Sequence, residues 1–330
     1  MKVFITGVAG HLGSALARWI RQHHPAVQIT GVDNLSTGFA ENVPAGVDFF
    51  EQDVLDGEPG CRPPLWQRYD VVYHFAAFAS EVLSPRVRRH TVRNVLEATA
   101  AVINHCQREG VGRLVFASSI AAYGRGVAPF SETAPCQPVD TYGVCKAACE
   151  REVINSGIEH CIVRPHNVYG PGQNLWDDSR NVFGIWMRQA LEGRPLRIYG
   201  DGLQRRAFTF IDDILEPLWL AGTAPAAAGQ VINLGGSQPV TILHAAEMTA
   251  GIVGAKAIEH RPGREEVRDA WATTEKSARL LGYRDATPLA AGVARMWDWA
   301  QDAWHQFPDR RTCRRRKWLK PAAMRPAASA

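Results

Sequence analysis

The feature that most constrains the fold of this chain is a glycine-rich segment that directly follows its first apolar run. Residues 2–6 form a short apolar stretch, and the sequence Gly7-Val8-Ala9-Gly10-His11-Leu12-Gly13 comes next. A helical pattern then extends over residues 12–24. Glycines at such a junction allow a sharp turn and close packing of the helix on the strand. The beginning of the chain therefore predicts a strand, a tight turn and a helix.

The same alternation continues through the first half of the chain. Further apolar runs of strand length alternate with helical patterns: the runs are 27–32, 71–75, 114–117, 161–163 and 231–234, and the helical patterns are 91–109 and 141–156. Such alternation is typical of βαβ units. We therefore expect an α/β fold, a Rossmann-type doubly wound parallel sheet with helices on both faces.

The regular alternation is lost after about residue 170, where helical patterns predominate. This change predicts a smaller, mostly helical C-terminal substrate domain. We expect a Rossmann domain over residues 1–170, with about 212–235 returning to it, and a substrate domain over 171–211 and 236–308. A length of 330 residues fits two domains, at roughly 100–200 residues per domain.

The charge of the chain is unevenly distributed. Residues 310–330 hold eight basic and no acidic side chains, so the total of +4 leaves a charge of −4 on residues 1–309. We expect residues 309–330 to be a basic, disordered and solvated tail. A role in binding nucleic acid or a membrane would depend on 310–320 alone, and neither partner is predicted.

Several classes of protein are disfavoured by the composition. No apolar run approaches the ~18–20 residues of a membrane span, and the first strand leaves no room for a signal peptide, so a cytoplasmic location is predicted. The seven cysteines are odd in number and contain no C-x-x-C spacing, which favours reduced thiols. The eleven histidines have no metal-ligand spacing, and no metal is predicted.

The glycine-rich turn is a candidate site for a dinucleotide. Free N–H groups at the start of a helix bind a pyrophosphate, and glycines let the backbone approach it. Asp33 ends the next apolar run, twenty residues after Gly13, where a carboxylate can accept hydrogen bonds from the adenosine ribose. The same carboxylate would repel a 2′-phosphate, so NAD is favoured over NADP. The alternative is an ordinary glycine-rich turn.

Tyr142 and Lys146 form a candidate acid/base pair. Four residues apart in a helix, they share one face. An ammonium near a phenol favours the phenolate, which can then accept a proton near neutral pH. By itself the spacing is also common on solvated helices, so the interpretation depends on a cofactor and a second hydroxyl elsewhere in the chain.

The motifs Gly7-x-x-Gly10-x-x-Gly13 and Tyr142-x-x-x-Lys146 together resemble the extended short-chain dehydrogenase/reductases. The specific resemblance is to the NAD-dependent epimerase/dehydratase family of nucleotide-sugar enzymes, typified by UDP-galactose (UDP-glucose) 4-epimerase, and it extends over about residues 1–300. The positions that the resemblance assigns to the cofactor NAD are Gly7, Gly10, His11, Leu12, Gly13, Asp33, Asn34, Asp53, Val54, Phe75, Ala76, Ala77, Asn94, Ser118, Tyr142, Lys146, Pro165 and His166.

The resemblance also implies a reaction. Tyr142 would deprotonate the carbon-4 hydroxyl of a nucleotide sugar while hydride leaves carbon 4, Ser119 would hydrogen-bond the same oxygen, and Lys146 would lower the tyrosine pKa and bind the nicotinamide ribose. The positions assigned to the substrate are Ser80, Ser119, Asn167, Arg206, Arg261, Arg264 and Arg268. Helices 91–109 and 141–156 correspond to a four-helix dimer interface in many relatives, which implies a homodimer.

Two residues favour epimerisation over other reactions of the family. Dehydratases resembling this chain carry an Asp-Glu pair directly after the catalytic hydroxyl, and Ile120 and Ala121 stand there instead. Neither side chain can transfer a proton, and the glutamate of the decarboxylases would also fall at Ala121. The sequence therefore predicts a 4-epimerase of a UDP-hexose or a UDP-hexuronic acid, with a transient 4-keto intermediate.

Alternatives remain open at this point. A 4-ketoreductase or dehydratase of the same family, or a non-catalytic NAD-binding regulator, would share much of the pattern, and dTDP-sugars would share the site with UDP-sugars. Arg268 is a candidate partner for a hexuronate carboxylate, or else it points to solvent. Arg264 stands where an acidic residue commonly follows Arg-Pro-Gly, and His166 where an aromatic or small residue is usual.

Overall fold

A computed structural model of the protein describes residues 1–57, 67–177, 179, 181–264 and 266–307. The strands are β1 Lys2–Thr6, β2 Gln28–Asp33, β3 Val47–Glu51, β4 Val71–His74, β5 Arg113–Ala117, β6 His160–Pro165, β7 Val168–Tyr169, β8 Leu196–Tyr199, β9 Arg205–Ala207, β10 Thr209–Phe210, β11 Gln230–Leu234, β12 Pro239–Thr241, β13 Ile258–Arg261 and β14 Asp269–Ala270. The α-helices are α1 His11–His23, α2 Arg88–Val92, α3 Ala98–Glu109, α4 Thr141–Asn155, α5 Val182–Leu191, α6 Leu215–Thr223, α7 Ile242–Val253, α8 Glu275–Leu281 and α9 Leu289–Gln306. The predicted basic tail lies outside the described residues.

The central element is a seven-stranded parallel sheet in the order β11-β6-β5-β4-β1-β2-β3. Six of its strands coincide with predicted runs to within one or two residues. The sequence pattern missed β3, because none of its residues is fully buried, Asp48 interrupts its apolar residues and Glu51 ends it. The Rossmann-type parallel sheet is confirmed.

Both faces of the sheet are covered. Val3 and Ile5 pack into one core with Leu16 of α1, whereas Phe4 between them packs into a second core with Val102 of α3. Successive side chains of a strand point to opposite faces. A continuous apolar run such as β1 therefore requires helices on both sides, and burying each of these side chains contributes roughly 1.5–3 kcal/mol.

The predicted helix over 91–109 differs in one respect from the observed one. The helical segment starts earlier, at α2, and Arg93–Glu97 forms a π-helical turn between α2 and α3. Such turns interrupt the regular hydrogen-bond ladder and are frequent at functional sites. Asn94, one of the predicted cofactor residues, lies within this turn.

The C-terminal part combines helices with short strands. β8 pairs with β13, β12 and β14 flank β9, and α9 packs against α5 and α7. β11 instead pairs in parallel with β6 in the central sheet. The exact division into two domains stays a prediction. No helix among the described residues is long and apolar enough to span a membrane.

Candidate active site

The turn between β1 and α1 and the start of α1 leave no room for a side chain at Gly7 or at Gly13. Gly7 has a φ of +73°, and a Cβ added there would lie 2.7 Å from the backbone nitrogen of Ala76. A Cβ at Gly13 would overlap the carbonyl oxygen of Gly7. Gly10, the N-cap of α1, supplies no side-chain cap to the first N–H groups of the helix. The turn therefore combines close backbone approach with helix N–H donors, as binding of a pyrophosphate requires.

The carboxylate of Asp33 is fixed beside this turn. It accepts hydrogen bonds from the backbone nitrogens of Ala9, at 3.1 Å, and Leu35, at 2.8 Å. The neighbouring Asn34 donates from its side-chain amide to Asp53, at 2.9 Å. The carboxyl ends of β2 and β3 thus bring together three residues that were predicted from separate parts of the sequence.

A buried histidine holds the next part of the same edge. His74, at the end of β4, hydrogen-bonds the Thr6 hydroxyl at 2.6 Å through Nδ1 and the Thr99 hydroxyl at 3.1 Å through Nε2. Burial, together with the positive charge of Lys146, lowers the pKa of His74 to about 3. The Thr6 hydroxyl also accepts from the backbone nitrogen of Ala76 at 3.2 Å. A neutral His74 therefore orients the loop that carries Phe75, Ala76 and Ala77.

Tyr142 and Lys146 lie on one face of α4, and both are buried. The Lys146 ammonium donates to the carbonyl of Ala117 at 2.5 Å and lies 4.6 Å from the centre of the Phe116 ring. Burial lowers the pKa of Lys146 to about 8, an effect opposed by Cys149, Glu150 and other neighbours. The predicted pair is thus brought against the end of β5.

Ser119 follows β5 and is 8% exposed. Its hydroxyl accepts a hydrogen bond from the backbone nitrogen of Ala121 at 3.1 Å and caps the turn Ile120–Ala122. α4 packs directly on this turn, because a Cβ at Gly143 would overlap the carbonyl oxygen of Ala121. A glycine next to Tyr142 therefore permits the close approach of α4 to the Ser119 turn.

The N-terminus of α4 is also tied to the loop after β4. Asp140 caps the helix by accepting from the backbone nitrogen of Gly143 at 3.0 Å. The Ser84 hydroxyl accepts from the backbone nitrogen of Tyr142 at 3.0 Å and donates to Asp140 at 3.2 Å. Sequence reasoning missed this link. The only signal for it was an aspartate two residues before Tyr142, at a helix start.

A second group that sequence reasoning missed lies beneath Ser119. Glu150, one turn after Lys146, forms a buried ion pair with Arg164 through contacts of 2.6 and 2.8 Å. It also accepts a hydrogen bond from the Ser118 hydroxyl. The Arg164 guanidinium stacks on the Tyr123 ring at 4.5 Å. The hydroxyl of Ser118, a predicted cofactor contact, therefore donates its hydrogen bond to Glu150.

Arg206, a predicted substrate residue of the C-terminal part, contacts the loop before β14. Arg206 donates to the carboxylate of Glu266 at 2.9 Å, and to the carbonyl oxygens of Val267 at 2.7 Å and Arg268 at 3.0 Å. Glu266 also accepts from the Gln204 amide at 3.1 Å. The sequence assigned no role to Glu266, because Arg264 stands directly after Arg-Pro-Gly and the acidic residues Glu265 and Glu266 come after it.

The other predicted substrate residues are placed less closely together. Arg261 pairs with Glu259 at 3.0 Å, and the Arg264 guanidinium lies 3.1 Å from the centre of the Tyr199 ring. Three further positions are placed as follows: the Ser80 hydroxyl donates to the carbonyl of Ser179 at 3.0 Å, the Asn167 amide donates to the carbonyl of Ala207 at 2.9 Å, and the Arg268 side chain is exposed.

His166 is completely buried. Its side chain has no exposed surface, and a Cβ at Gly235 would overlap the imidazole ring. Neither ring nitrogen has a hydrogen-bond partner among the described residues, and burial lowers the pKa of His166 to about 3. The contact of His166 with the cofactor stays a prediction. Pro165, the last residue of β6, is partly exposed.

No group of three histidine, cysteine or carboxylate side chains within the described ranges could hold a metal ion. The absence of a metal requirement stays a prediction.

Comparisons with known proteins give consistent matches. A model of the NAD dependent epimerase/dehydratase family matches residues 3–235. A UDP-glucose 4-epimerase of Mycolicibacterium smegmatis is 30% identical and is matched over 89% of this chain and 97% of its own length. The UDP-glucose 4-epimerase of Thermotoga maritima, solved with UDP-glucose, superposes with a TM-score of 0.85 at 25% identity, over 92% of this chain and 99% of its own. The UDP-glucuronic acid 4-epimerase of Bacillus cereus, solved with UDP-glucuronic acid and NAD, gives a TM-score of 0.83 at 29% identity over the same shares.

Proposed function

This chain belongs to the NAD-dependent epimerase/dehydratase family, and we propose that it is a UDP-sugar 4-epimerase. It would invert carbon 4 of a UDP-hexose or UDP-hexuronic acid through a transient 4-keto sugar. The observation that carries the proposal is the placement of buried Tyr142 and Lys146 against the end of β5, next to the Ser119 turn. Relatives named for UDP-glucose and UDP-glucuronate support both substrate classes.

The cofactor is NAD, in accordance with the family. The glycine turn fits NAD. Its backbone segments approach closely without side chains at Gly7 and Gly13, and the first N–H groups of α1 have no side-chain cap, so they can bind a pyrophosphate. The Asp33 carboxylate at the end of β2 fits the adenosine ribose and disfavours a 2′-phosphate. When bound at these residues, NAD would supply the hydride acceptor and donor that the oxidation and reduction of carbon 4 require.

The chain's own residues would handle the proton. The Tyr142 phenolate removes the proton of the carbon-4 hydroxyl. It returns the proton after the 4-keto sugar has rotated to present its other face. Ser119 holds the same oxygen by a hydrogen bond. The Lys146 ammonium stabilises the phenolate by its charge, and its hydrogen bond to the Ala117 carbonyl keeps it in place.

The turn after Ser119 argues against elimination of water. Ile120 and Ala121 occupy the first two positions of this turn, and Ile120 is buried. A hydrocarbon side chain cannot act as an acid or a base, so the 4-keto sugar meets no carboxylate at these positions. This favours return of the hydride over dehydration. A 4-ketoreductase remains the second candidate, because it would use the same Ser119, Tyr142 and Lys146.

A homodimer is part of the proposal. Four large apolar side chains at or near the predicted dimer helices are exposed: Val82, Val92, Val144 and Ile154. Exposed apolar side chains at these helices are consistent with association of two chains there. Light scattering should give twice the mass of one chain for the wild type, and Val144→Glu should lower it. A cytoplasmic location stays a prediction.

The activity is tested with a panel of UDP- and dTDP-linked hexoses and hexuronates, incubated with the purified protein and then separated by carbon-4 configuration. We expect interconversion of a 4-epimer pair without added reductant. Formation of a 4-keto-6-deoxy sugar would instead show a dehydratase. Reduction of a 4-keto sugar that needs stoichiometric reduced cofactor would establish the ketoreductase. A protein that binds NAD and converts no sugar would favour the regulator.

A further inference from the structure

Two adjacent residues at the end of β5 contact two consecutive turns of α4. The Ala117 carbonyl accepts the hydrogen bond of the Lys146 ammonium at 2.5 Å. The hydroxyl of the next residue, Ser118, donates to the carboxylate of Glu150. Glu150 lies four residues after Lys146 and therefore on the same face of the helix. The strand end that leads to Ser119 is thus attached to α4 through one cation and one anion.

The Glu150 carboxylate is held from another side by Arg164 of β6. Its two oxygens accept hydrogen bonds from the guanidinium at 2.8 and 2.6 Å, and the two side chains are only 6% and 5% exposed. Such a bidentate contact fixes the orientation of a carboxylate. The backbone nitrogen of Ser118 also donates to the carbonyl of Val163, the residue before Arg164, at 2.8 Å. Ser118 is therefore held by α4 through its side chain and by β6 through its main chain.

Ser119 lies between this attachment and the turn that follows it. Its hydroxyl accepts from the backbone nitrogen of Ala121, and its carbonyl accepts from that of Ala122, both at 3.1 Å. A change in the backbone of Ser118 would move the Ser119 hydroxyl relative to α4, because the two serines are adjacent in the chain. The hydrogen bond from Ser118 to Glu150 consequently restricts the position of Ser119.

The charge of Glu150 also acts on Lys146. Burial lowers the pKa of Lys146 to about 8. Three side chains of the same helix oppose this effect: Cys149, Glu150 and Cys145. Burial raises the pKa of both thiols, that of Cys149 to about 11, so neither is charged near neutral pH. Burial also keeps His74, which faces Lys146 from β4, neutral. Among these groups, Glu150 is therefore the negative charge that favours the ammonium.

Lys146, Glu150 and Arg164 together form a buried group with one net positive charge. Under the proposed function, on which this step rests, the Tyr142 phenolate adds one negative charge on the same face of α4, and the total becomes zero. Without Glu150 the group would carry two positive charges, which favours loss of the Lys146 proton. Glu150 thus leaves one positive charge to stabilise the phenolate.

We propose that Glu150 is a positioning residue of the proposed 4-epimerase, which holds the Ser118–Ser119 strand end against α4 and maintains the ammonium of Lys146. Its two carboxylate oxygens are hydrogen-bonded to Ser118 and Arg164. Glu150 therefore acts through other residues of the site and not by contact with the sugar.

The role of the charge is tested with Glu150→Gln, which keeps the shape of the side chain and an acceptor for Ser118. NMR titration of protein labelled with carbon-13 at the lysine ε-carbons measures the titration midpoint of Lys146 without turnover, and Lys146→Arg identifies its signal. We expect the midpoint to lie at lower pH in Glu150→Gln than in the wild type, and the alkaline decline of kcat to shift with it. A loss of stability alone would reduce the folded fraction and leave the midpoint of the folded protein unchanged.

The role of the hydrogen bond is tested with Ser118→Ala, which keeps the ion pair and so folds even if Glu150→Gln does not. We expect kcat for epimerisation to fall about tenfold or more, because small displacements of a reacting group are costly. The Lys146 midpoint, the KM for the UDP-sugar and the affinity for NAD, measured by calorimetry, should stay close to those of the wild type. A loss of NAD affinity as large as the loss of kcat would assign Ser118 to the cofactor and contradict the inference.

Glu159→Gln is the matched control, since it removes an ion pair with Arg113, at 2.7 Å, that joins the amino ends of the same strands β5 and β6. It should keep the wild-type kcat and Lys146 midpoint. An unchanged midpoint in folded Glu150→Gln, or an unchanged kcat in Ser118→Ala, would overturn the inference. A wild type that converts no UDP-sugar, while Glu150→Gln still shifts the midpoint, would contradict only the proposed function.

Discussion

The ammonium nitrogen of Lys146 lies 5.8 Å from the centre of the Tyr142 ring, within the same turn of α4. The ammonium is also hydrogen-bonded to the Ala117 carbonyl, the last residue of β5. One buried charge thus connects the tyrosine to the strand that leads to Ser119. This relationship makes the pair a candidate acid/base system rather than two neighbours on a helix surface.

Removal of the Tyr142 hydroxyl should abolish most of the activity. We expect Tyr142→Phe to lower kcat for carbon-4 epimerisation by about 10²–10⁴-fold, the usual contribution of a positioned acid/base group. NAD binding and the thermal unfolding midpoint should change little. Tyr73→Phe is the matched control, since its hydroxyl donates to the carbonyl of Trp219 on the buried side of the sheet, at 2.9 Å. Undiminished turnover by Tyr142→Phe would refute the assigned role.

The charge of Lys146 should limit activity at alkaline pH. Burial lowers the pKa of this side chain to about 8, so its ammonium form is lost as the pH rises through that value. We expect kcat to decline above about pH 8. In Lys146→Arg the decline should disappear, because arginine stays protonated, even if the absolute rate is lower. An identical alkaline decline in both proteins would assign it to another group.

Asp33 should control the choice between NAD and NADP. In Asp33→Asn the repulsion of a 2′-phosphate is removed, and the remaining side-chain oxygen can keep one of the two backbone hydrogen bonds, from Ala9 or from Leu35, which the carboxylate accepts with separate oxygens. We expect the ratio of NADP to NAD affinity to rise by about tenfold or more, in line with the loss of one like-charge contact of about 1.4 kcal/mol. Fluorescence titration with both reduced cofactors measures the ratio, and a constant ratio would place Asp33 outside the ribose site.

The buried ion pair of Glu150 and Arg164 should be costly to break. Glu150→Gln leaves the Arg164 guanidinium buried without its countercharge, which costs about 3–5 kcal/mol in comparable cases. We expect a lower free energy of unfolding in denaturant titrations. The double variant Glu150→Leu with Arg164→Met should recover part of the loss, because no unpaired charge remains. A double variant less stable than Glu150→Gln would contradict this account.

Buried neutral histidines should make the protein sensitive to acid. The pKa of His166 and that of His74 are both lowered to about 3 in the folded state, against about 6.5 in an unfolded chain. Below pH 6.5 the unfolded state therefore binds more protons, and stability falls as the pH decreases toward 3. His166→Leu should lose less stability than the wild type between pH 7.5 and 5.

The matched control for this acid effect is His244→Gln, which alters an exposed histidine on α7. It should reproduce the stability profile of the wild type across the same pH range. Equal acid sensitivity of His166→Leu and the wild type would show that His166 does not contribute.

Local patterns in the sequence were sufficient for much of the fold and of the cofactor site. The apolar runs predicted six strands of the central sheet, because a strand buried on both faces must be apolar along its length. The glycines of the first turn predicted close backbone packing. In the structure, a Cβ at Gly7 or at Gly13 would collide with backbone atoms. The helical spacing of Tyr142 and Lys146 placed them on one face because helix geometry alone determines it.

Other features depend on residues that are distant in the chain. Glu150 meets Arg164 and Ser118, and Arg206 meets Glu266. A charged residue in a sequence looks the same whether it is solvated or paired, and its partner is selected by packing. The burial of the His166 ring could not be predicted for the same reason, since only the folded chain covers it.

The sequence by itself determined the parallel sheet, the glycine turn, the acidic end of β2 and the Tyr142–Lys146 spacing, because each follows from backbone geometry over a few neighbouring residues. Only the tertiary structure decided which charges meet in the cleft, which ones are compensated and which histidines are buried. These depend on long-range packing, which sets the local dielectric and the distances between charges and so determines their pKa values and their contacts.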